Sequence, residues 1–265
     1  EMDRRWQERR SMEAALRQAV AEEAFELHFQ PQVALPEGRL IGFEALIRWR
    51  HPQRGLLSPA VFLPLAEELG LMQRIGNWVL RESCRIAAGW PEPLVVAVNV
   101  APAQFEGGHL PEDVAEALRM SGLPAKRLEL EVTETVLLTT AETALSQLLA
   151  LRESGVGIAM DDFGTGYSSL TQLRVFPFDR LKIDRSFVQD LPEGGDAAAI
   201  VRAVTGLGRS LGIRVVAEGV ETEEQLGRLR AEGCDAAQGY FFGRPVPVPQ
   251  LPAVIRALGA QAVTA

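Results

Sequence analysis

Two adjacent aspartates, Asp161 and Asp162, follow a short apolar run and precede a glycine-rich stretch. The apolar run, residues 156–160, is typical of a buried strand, so both carboxylates are expected where this strand ends. Two neighbouring carboxylates repel each other, and a bound divalent cation is the simplest group that keeps both ionised. Gly164 and Gly166 would let the following loop fold tightly over a ligand. An aspartate that only caps the next turn is the alternative, and this stretch alone does not decide between the two.

Further polar residues occur at or near the ends of the other predicted strands. Because the carboxyl ends of the strands of an α/β barrel meet at one mouth, their side chains are expected to converge there. These residues are Glu44, Arg48, Asn99, Glu131, Glu134, Lys182, Asp184, Glu218, Glu221 and Gln238. Each has a structural explanation of its own, such as a salt bridge between Glu44 and Arg48 or a loop hydrogen bond from Asn99.

The number of carboxylates favours a functional explanation over these structural ones. Arg48 and Lys182 are too few to neutralise the five carboxylates predicted at the mouth, which are Glu44, Glu131, Asp161, Asp162 and Glu218. Oxygen ligands of this kind suit Mg²⁺ or Mn²⁺, whereas zinc prefers histidine and cysteine. The sequence therefore predicts a site for divalent cations, to which the amide of Asn99 can add another oxygen.

The elements that must position these residues alternate between strand and helix. The hydrophobic pattern predicts strands at 25–31, 40–49, 94–99, 127–133, 156–160, 181–183, 213–217 and 234–239. Helices are predicted over 60–89, 111–121, 140–154, 197–211 and 248–258, with others after Ser168 and from Thr222. This alternation implies an α/β fold with a largely parallel sheet, and eight strands predict closure into a TIM-like (β/α)8 barrel. A lead-in helix over 1–23 is expected to precede the barrel domain at 24–260.

The composition indicates which partners and which compartment to expect for this domain. The 265 residues are 47% hydrophobic and carry a net charge of -8, which argues against binding to a nucleic acid polymer. Cys84 and Cys234, the only cysteines, lack neighbours at metal-ligand spacing and are expected to be reduced. No apolar run reaches transmembrane length and no signal peptide opens the chain, so we expect a cytoplasmic domain without membrane contacts. The start within a charged helix suggests a domain cut from a longer protein.

Several motifs resemble the signatures of the EAL-domain cyclic di-GMP phosphodiesterases. The principal matches are Glu44-Ala45-Leu46, Asp161-Asp162-Phe163-Gly164-Thr165-Gly166 and Glu218-Gly219-Val220-Glu221. Others are Gln30-Pro31, Asn99, Glu131 with Glu134, Lys182-Ile183-Asp184 and Gln238-Gly239-Tyr240. The resemblance extends from about residue 12 to residue 258, with every motif in the family's order. It departs from the usual family pattern at Phe29 and Ala101, neither of which is an expected ligand.

The resemblance implies a barrel whose first strand is antiparallel, and hydrolysis of cyclic di-GMP to linear pGpG with two divalent cations, Mg²⁺ or Mn²⁺. It implies that the cation ligands are Glu44, Asn99, Glu131, Asp161, Asp162 and Glu218, with Asp161 shared by both ions. Lys182 would orient the attacking water, and Glu218 would be a ligand, a general base or both. The residues expected to contact the substrate are Gln30, Leu46, Arg48, Asp184, Glu221 and Gln238.

The same resemblance implies regulatory features. Glu134 would anchor the loop 162–169, which links cation binding to the contacts of a homodimer. An upstream regulatory or GGDEF-like domain is expected in the full-length protein, which could also carry a membrane tether elsewhere.

Two rival functions follow from the same residues. The first is a cyclic di-GMP receptor that binds the nucleotide without hydrolysing it, and the complete set of expected cation ligands argues against this. The second is a kinase, because Asp162-Phe163-Gly164 matches a kinase metal motif. No glycine-rich phosphate loop or His-Arg-Asp catalytic loop accompanies it, so we reject the kinase interpretation.

Overall fold

One mixed β-sheet of ten strands runs through the computed structural model, which describes residues 2–139, 141–164 and 170–260. The two longest strands come first: β1 is Phe25–Ala34 and β2 is Leu40–His51. The others are β3 Gly55–Leu57, β4 Val95–Val100, β5 Leu128–Thr133, β6 Gly157–Phe163, β7 Arg180–Ile183, β8 Arg214–Ala217, β9 Ala236–Gln238 and β10 Val246–Pro247.

Eight of these strands form a closed barrel. The sheet order is β10-β1-β9-β8-β7-β6-β5-β4-β2-β3, and an additional pairing of β1 with β2 closes it. Strand β1 is antiparallel to both β2 and β9, whereas each neighbouring pair from β2 through β4 to β9 is parallel. The predicted (β/α)8 barrel with an antiparallel first strand is therefore confirmed.

Helices follow most of the barrel strands. Those within the described ranges are α1 Met2–Glu22, α2 Pro59–Glu68, α3 Met72–Ala87, α4 Leu110–Ser121, α5 Glu134–Thr139, α6 Ala141–Glu153, α7 Leu170–Val175, α8 Arg185–Gln189, α9 Gly195–Leu211, α10 Glu223–Glu232 and α11 Leu251–Ala260. Helix α10 begins with a capping box, in which the Thr222 hydroxyl accepts the Gln225 amide and the Gln225 side chain accepts the Thr222 amide. None of these helices combines the length and the apolar character that crossing a membrane requires.

The barrel strands are buried because helices cover their outer faces. Strand β4 illustrates this with Val96, Ala97 and Val98 all buried, as expected for a parallel strand that packs on both faces. A buried ion pair closes the end of the barrel at which the parallel strands begin, where Arg180 Nη1 donates to Glu129 Oε1 over 2.9 Å. The other end, where these strands finish, contains the polar residues identified from the sequence.

Some local predictions were wrong. The region 60–89 forms two helices, interrupted between Glu68 and Met72, and the short edge strands β3 and β10 were not expected. Strand β6 continues through Asp161 and Asp162 to Phe163, whereas the sequence placed both aspartates after the strand. Glu134 belongs to helix α5 rather than to the fourth predicted strand.

Candidate functional site

The two aspartates of β6 lie on a β-bulge. Pairing between β6 and β7 shifts register between Met160 and Phe163, and Asp162 has a φ of 53°. Successive side chains of a regular strand point to opposite faces, and a bulge with one residue at positive φ redirects one of them. As a result, carboxylate oxygens of Asp161, Asp162 and Glu218 lie within 4.8 Å of one another. The strained backbone at Asp162 thus brings two neighbouring residues to one site.

The register of the parallel strands brings Asn99 and Glu131 together. These residues are direct partners in the pairing of β4 with β5, so both side chains project into the same end of the barrel. Glu131 is 1% exposed, and its Oε1 has no hydrogen-bond partner among the described residues. A buried carboxylate oxygen in this state is costly unless a cation or proton satisfies it.

A single lysine lies among the carboxylates. The Nζ atom of Lys182 is 2.7 Å from Glu131 Oε2, 3.2 Å from Asp161 Oδ1 and 2.6 Å from Glu218 Oε1. Lys182 is buried, as is Glu131, so solvent screens these charges only weakly. One ammonium is shared among three carboxylates, which leaves the cluster with an excess of negative charge.

The ionisation of the cluster reflects this excess. Burial raises the pKa of Glu131 well above its ordinary value, and the Lys182 ammonium opposes the shift only in part. Burial likewise raises the pKa of Glu218 to about 8. Burial by itself lowers the pKa of Lys182, but the surrounding carboxylates outweigh it and hold that pKa well above its ordinary value. Lys182 is therefore charged, and the carboxylates require further positive charge.

The hydrogen-bond partners of the Glu44 carboxylate are amide side chains, and Arg48 is not among them. Asn99 Nδ2 donates to Glu44 Oε1 over 2.7 Å, and Gln238 Nε2 donates to Glu44 Oε2. Gln238 Nε2 also donates to Gln30 Oε1 over 3.0 Å. The salt bridge between Glu44 and Arg48 that the sequence left open does not occur, because Arg48 Nη1 donates to the Ile47 carbonyl instead.

A polar cavity of about 210 Å³ lies at the mouth of the barrel. Its walls are formed by Gln30, Glu44, Leu46, Asp161, Arg185, Gln189, Glu218, Gly219, Glu221, Gln238, Gly239 and Tyr240. Leu46 also lines a second, predominantly apolar cavity of about 330 Å³, together with Pro59, Leu63, Met72 and Asn99. The mouth therefore presents an acidic cavity beside an apolar one.

Seven predicted residues lie outside the wall of the polar cavity: Asn99, Glu131, Asp162 and Lys182, which belong to the cluster described above, and Arg48, Asp184 and Glu134. Arg48 is half-buried, and burial lowers its pKa, although the nearby Tyr240 and Glu44 act in the opposite direction. Asp184 caps helix α8 by accepting hydrogen bonds from the amide and hydroxyl of Ser186. Glu134 is buried at the start of α5, and neither carboxylate oxygen has a hydrogen-bond partner among the described residues. Residues 165–169 of the loop that Glu134 is predicted to anchor lie outside the described ranges.

The residues present fit divalent cations. The ligand atoms available at the mouth are carboxylate and amide oxygens, which Mg²⁺ and Mn²⁺ prefer. The unsatisfied buried oxygen of Glu131 and the close approach of Asp161, Asp162 and Glu218 both call for added positive charge. An acidic cluster that could bind a metal is thus present, and its donor set excludes neither of the two ions.

Sequence reasoning missed several residues at the mouth. Arg185 and Gln189 of α8 line the polar cavity. Gln32 lies two residues after Gln30 on β1, and its Nε2 donates to Gln238 Oε1 over 3.1 Å, which orients the Gln238 amide. The two-residue spacing of Gln30 and Gln32 was a usable signal, because residues i and i+2 of a strand share one face.

Known proteins resemble this chain along most of its length. The sequence profile of the EAL domain family matches residues 13–245. An uncharacterised signalling protein of Caulobacter vibrioides is 52% identical over 95% of the chain, which spans 31% of that protein. The bifunctional diguanylate cyclase/cyclic di-GMP phosphodiesterase MucR of Pseudomonas aeruginosa is 48% identical over 89% of the chain, which spans 35% of MucR. The chain thus covers about a third of the length of these curated relatives.

Two solved structures also match this chain over most of its length. The phosphodiesterase PaMucR in complex with c-di-GMP superposes with a TM-score of 0.87 at 46% identity, covering 91% of this chain and 99% of that one. The EAL domain of Xanthomonas citri FimX in complex with c-diGMP superposes with a TM-score of 0.83 at 26% identity, covering 92% and 97%.

Proposed function

Because this chain belongs to the EAL domain family, we propose that it hydrolyses one phosphodiester bond of cyclic di-GMP to linear pGpG, with the help of two divalent cations. The observation that carries the proposal is the cluster of buried carboxylates around Lys182 at the mouth of the barrel. A purely structural cluster would not leave a buried Glu131 oxygen unsatisfied. The cyclic di-GMP phosphodiesterase names of the relatives support the choice of substrate.

The proposed ligands form two overlapping sets. Glu44, Asn99, Glu131 and Asp161 would hold one cation, and Asp161, Asp162 and Glu218 would hold the other. The short separations among Asp161, Asp162 and Glu218 support the second set. Bound Mg²⁺ or Mn²⁺ would supply a nucleophilic water at neutral pH and stabilise charge on the attacking and leaving oxygens.

The remaining groups position the reactants. Lys182 donates toward the carboxylates and is proposed to orient the attacking water, since its ammonium is buried and cannot turn toward solvent. Glu218 lines the cavity beside the proposed cations, so its carboxylate is placed to accept a proton from that water. Gln238, fixed by Gln32 and Gln30, presents its amide to Glu44 and to the cavity.

Substrate contacts are proposed along both cavities. Gln30, Leu46, Glu221 and Gln238 line the polar one, and the polar side chains of Gln30, Glu221 and Gln238 suit ribose and guanine edges. The adjoining apolar cavity, which shares Leu46, is suited to a purine base. Arg48 and Asp184 complete the proposed set, although neither lines the polar cavity.

The proposal extends to the assembly in which this domain works. Glu134 would anchor the loop 162–169, which would link cation binding to the contacts of a homodimer, and the buried carboxylate of Glu134 supports the anchoring role. The printed name of the relative MucR, a bifunctional diguanylate cyclase and cyclic di-GMP phosphodiesterase, supports the proposal of a GGDEF-like domain in the full-length protein. Two buried free thiols, Cys84 and Cys234, support a reducing compartment such as the cytoplasm.

The test is conversion of cyclic di-GMP to pGpG by the purified domain, with Mg²⁺ or Mn²⁺ and with EDTA. We expect cation-dependent turnover in the wild type and none in Glu44→Gln, which keeps the shape of the side chain and removes its charge. Circular dichroism would verify that the variant is folded. Binding of cyclic di-GMP without any pGpG in the wild type would favour the non-catalytic receptor, and turnover in EDTA would contradict the cation mechanism.

A further inference from the structure

Arg185 is the one cationic residue on the wall of the polar cavity among the residues that the structure describes. The same wall carries four carboxylates, those of Glu44, Asp161, Glu218 and Glu221. Arg185 is exposed, and no carboxylate oxygen of the described residues lies within the 4.0 Å of an ion pair from its guanidinium. Its charge is therefore available to a ligand in the cavity.

The backbone places Arg185 close to the carboxylates. It is the first residue of α8, directly after Asp184, whose side chain caps the helix. Gly219 has a φ of +72°, and a Cβ at this position would lie 2.5 Å from the Cβ of Arg185. A side chain at position 219 would thus push Arg185 away, so Gly219 allows it to lie beside Glu218.

The proposed substrate carries a negative charge that the cation site would not neutralise. Cyclic di-GMP has two phosphodiester groups, each with one negative charge, and the cation cluster would act on only one of them. Two divalent cations and Lys182 would supply five positive charges to six carboxylates, those of Glu44, Glu131, Asp161, Asp162, Glu218 and Glu221, and would leave nothing to offset the second phosphate. Lys182 is occupied by three carboxylates, and Arg48 is absent from the cavity wall. An arginine can bind a phosphate through two parallel hydrogen bonds.

We propose that Arg185 binds the second, non-scissile phosphate of the cyclic dinucleotide and thereby selects for a ligand with two phosphates. This inference depends on the proposed function. It makes Arg185 a substrate-binding residue with no part in the chemistry at the scissile bond. Such a residue interacts equally strongly with the ground state and the transition state. Loss of an interaction of this kind raises KM and leaves kcat unchanged.

The experiment compares steady-state kinetics of the wild type, Arg185→Gln and Arg185→Lys with Mg²⁺ and cyclic di-GMP. We expect Arg185→Gln to raise KM about tenfold, as loss of a charge-assisted hydrogen bond does, with kcat within about twofold of the wild type. Arg185→Lys should retain much of the affinity because it keeps the charge. Arg119→Gln is the matched control, since Arg119 is exposed on α4 and forms an ion pair over 3.8 Å with the exposed Glu116.

A second ligand distinguishes the two phosphates. The linear dinucleotide GpG has one phosphodiester and no second phosphate, so its inhibition constant should be the same for the wild type and for Arg185→Gln. An equal loss of affinity for GpG and cyclic di-GMP would overturn the assignment, as would an unchanged KM or a lower kcat at constant KM. If the wild type makes no pGpG, the proposed hydrolysis fails, and calorimetric Kd values for the same ligands and variants still decide the role of Arg185.

Discussion

Replacement of Lys182 by methionine tests the charge balance of the candidate site. Methionine keeps much of the length of the side chain and removes the ammonium that lies within 3.2 Å of Glu131, Asp161 and Glu218. Removing one partner of a buried ion pair costs about 3–5 kcal/mol. For a domain of this size, each kcal/mol lowers the midpoint of thermal unfolding by about 2–4 °C, so we expect a decrease of roughly 6–20 °C in EDTA.

Divalent cations should reverse part of this loss. Added Mg²⁺ binds the folded state and places positive charge among the same carboxylates, so it should stabilise Lys182→Met more than the wild type. Differential scanning calorimetry in EDTA and in Mg²⁺ measures both shifts. Lys126, the only other lysine in the chain, is exposed, and Lys126→Met is the matched control. The reasoning is refuted if Lys182→Met unfolds within 3 °C of the wild type in EDTA, or if Mg²⁺ stabilises the two proteins equally.

Three further predictions concern the scaffold. Arg127 is buried and donates to three backbone carbonyls at the end of α3 and in the segment that joins it to β4. Arg127→Met should therefore lower the free energy of unfolding, measured in urea, by about 3 kcal/mol. A change below about 1 kcal/mol would contradict this role. Burial raises the pKa of Cys84 and of Cys234 to about 12, so neither thiol should react with Ellman's reagent at pH 8 until the protein is denatured. A Cβ on Gly239 would lie 2.1 Å from the Val220 carbonyl oxygen. Gly239→Ala should therefore displace the neighbouring Gln238 and raise the KM for cyclic di-GMP. An unchanged KM would contradict this prediction.

Much of the fold could be predicted from the sequence because its signals are local. Alternating apolar runs and helix patterns placed all eight barrel strands, and the count of strands predicted closure. Short elements with few residues were missed: β3 and β10 have three and two residues, too few to show a period. The break between α2 and α3 was missed because both helices are apolar on one face and lie close together in the sequence.

The candidate site was predicted only as a set of residues. Placing Glu44, Asn99, Glu131 and Glu218 near strand ends was enough to predict that they converge, because parallel strands end at one mouth. Their partners could not be predicted, since contact across a barrel depends on register and stagger between strands that are distant in sequence. Glu44 therefore contacts the amides of Asn99 and Gln238 instead of Arg48, four residues away on its own strand.

The sequence by itself determined the chemical types available at the mouth: oxygen donors in excess, one lysine and no histidine or cysteine among them. Only the tertiary structure decided how these groups share charge. The bulge at Asp162 turns two consecutive carboxylates toward Glu218, barrel closure surrounds Lys182 with acids from three strand ends, and Gly219 leaves room for Arg185. Residue types follow from the chain alone, whereas distances between charges arise when strands far apart in sequence pair and close.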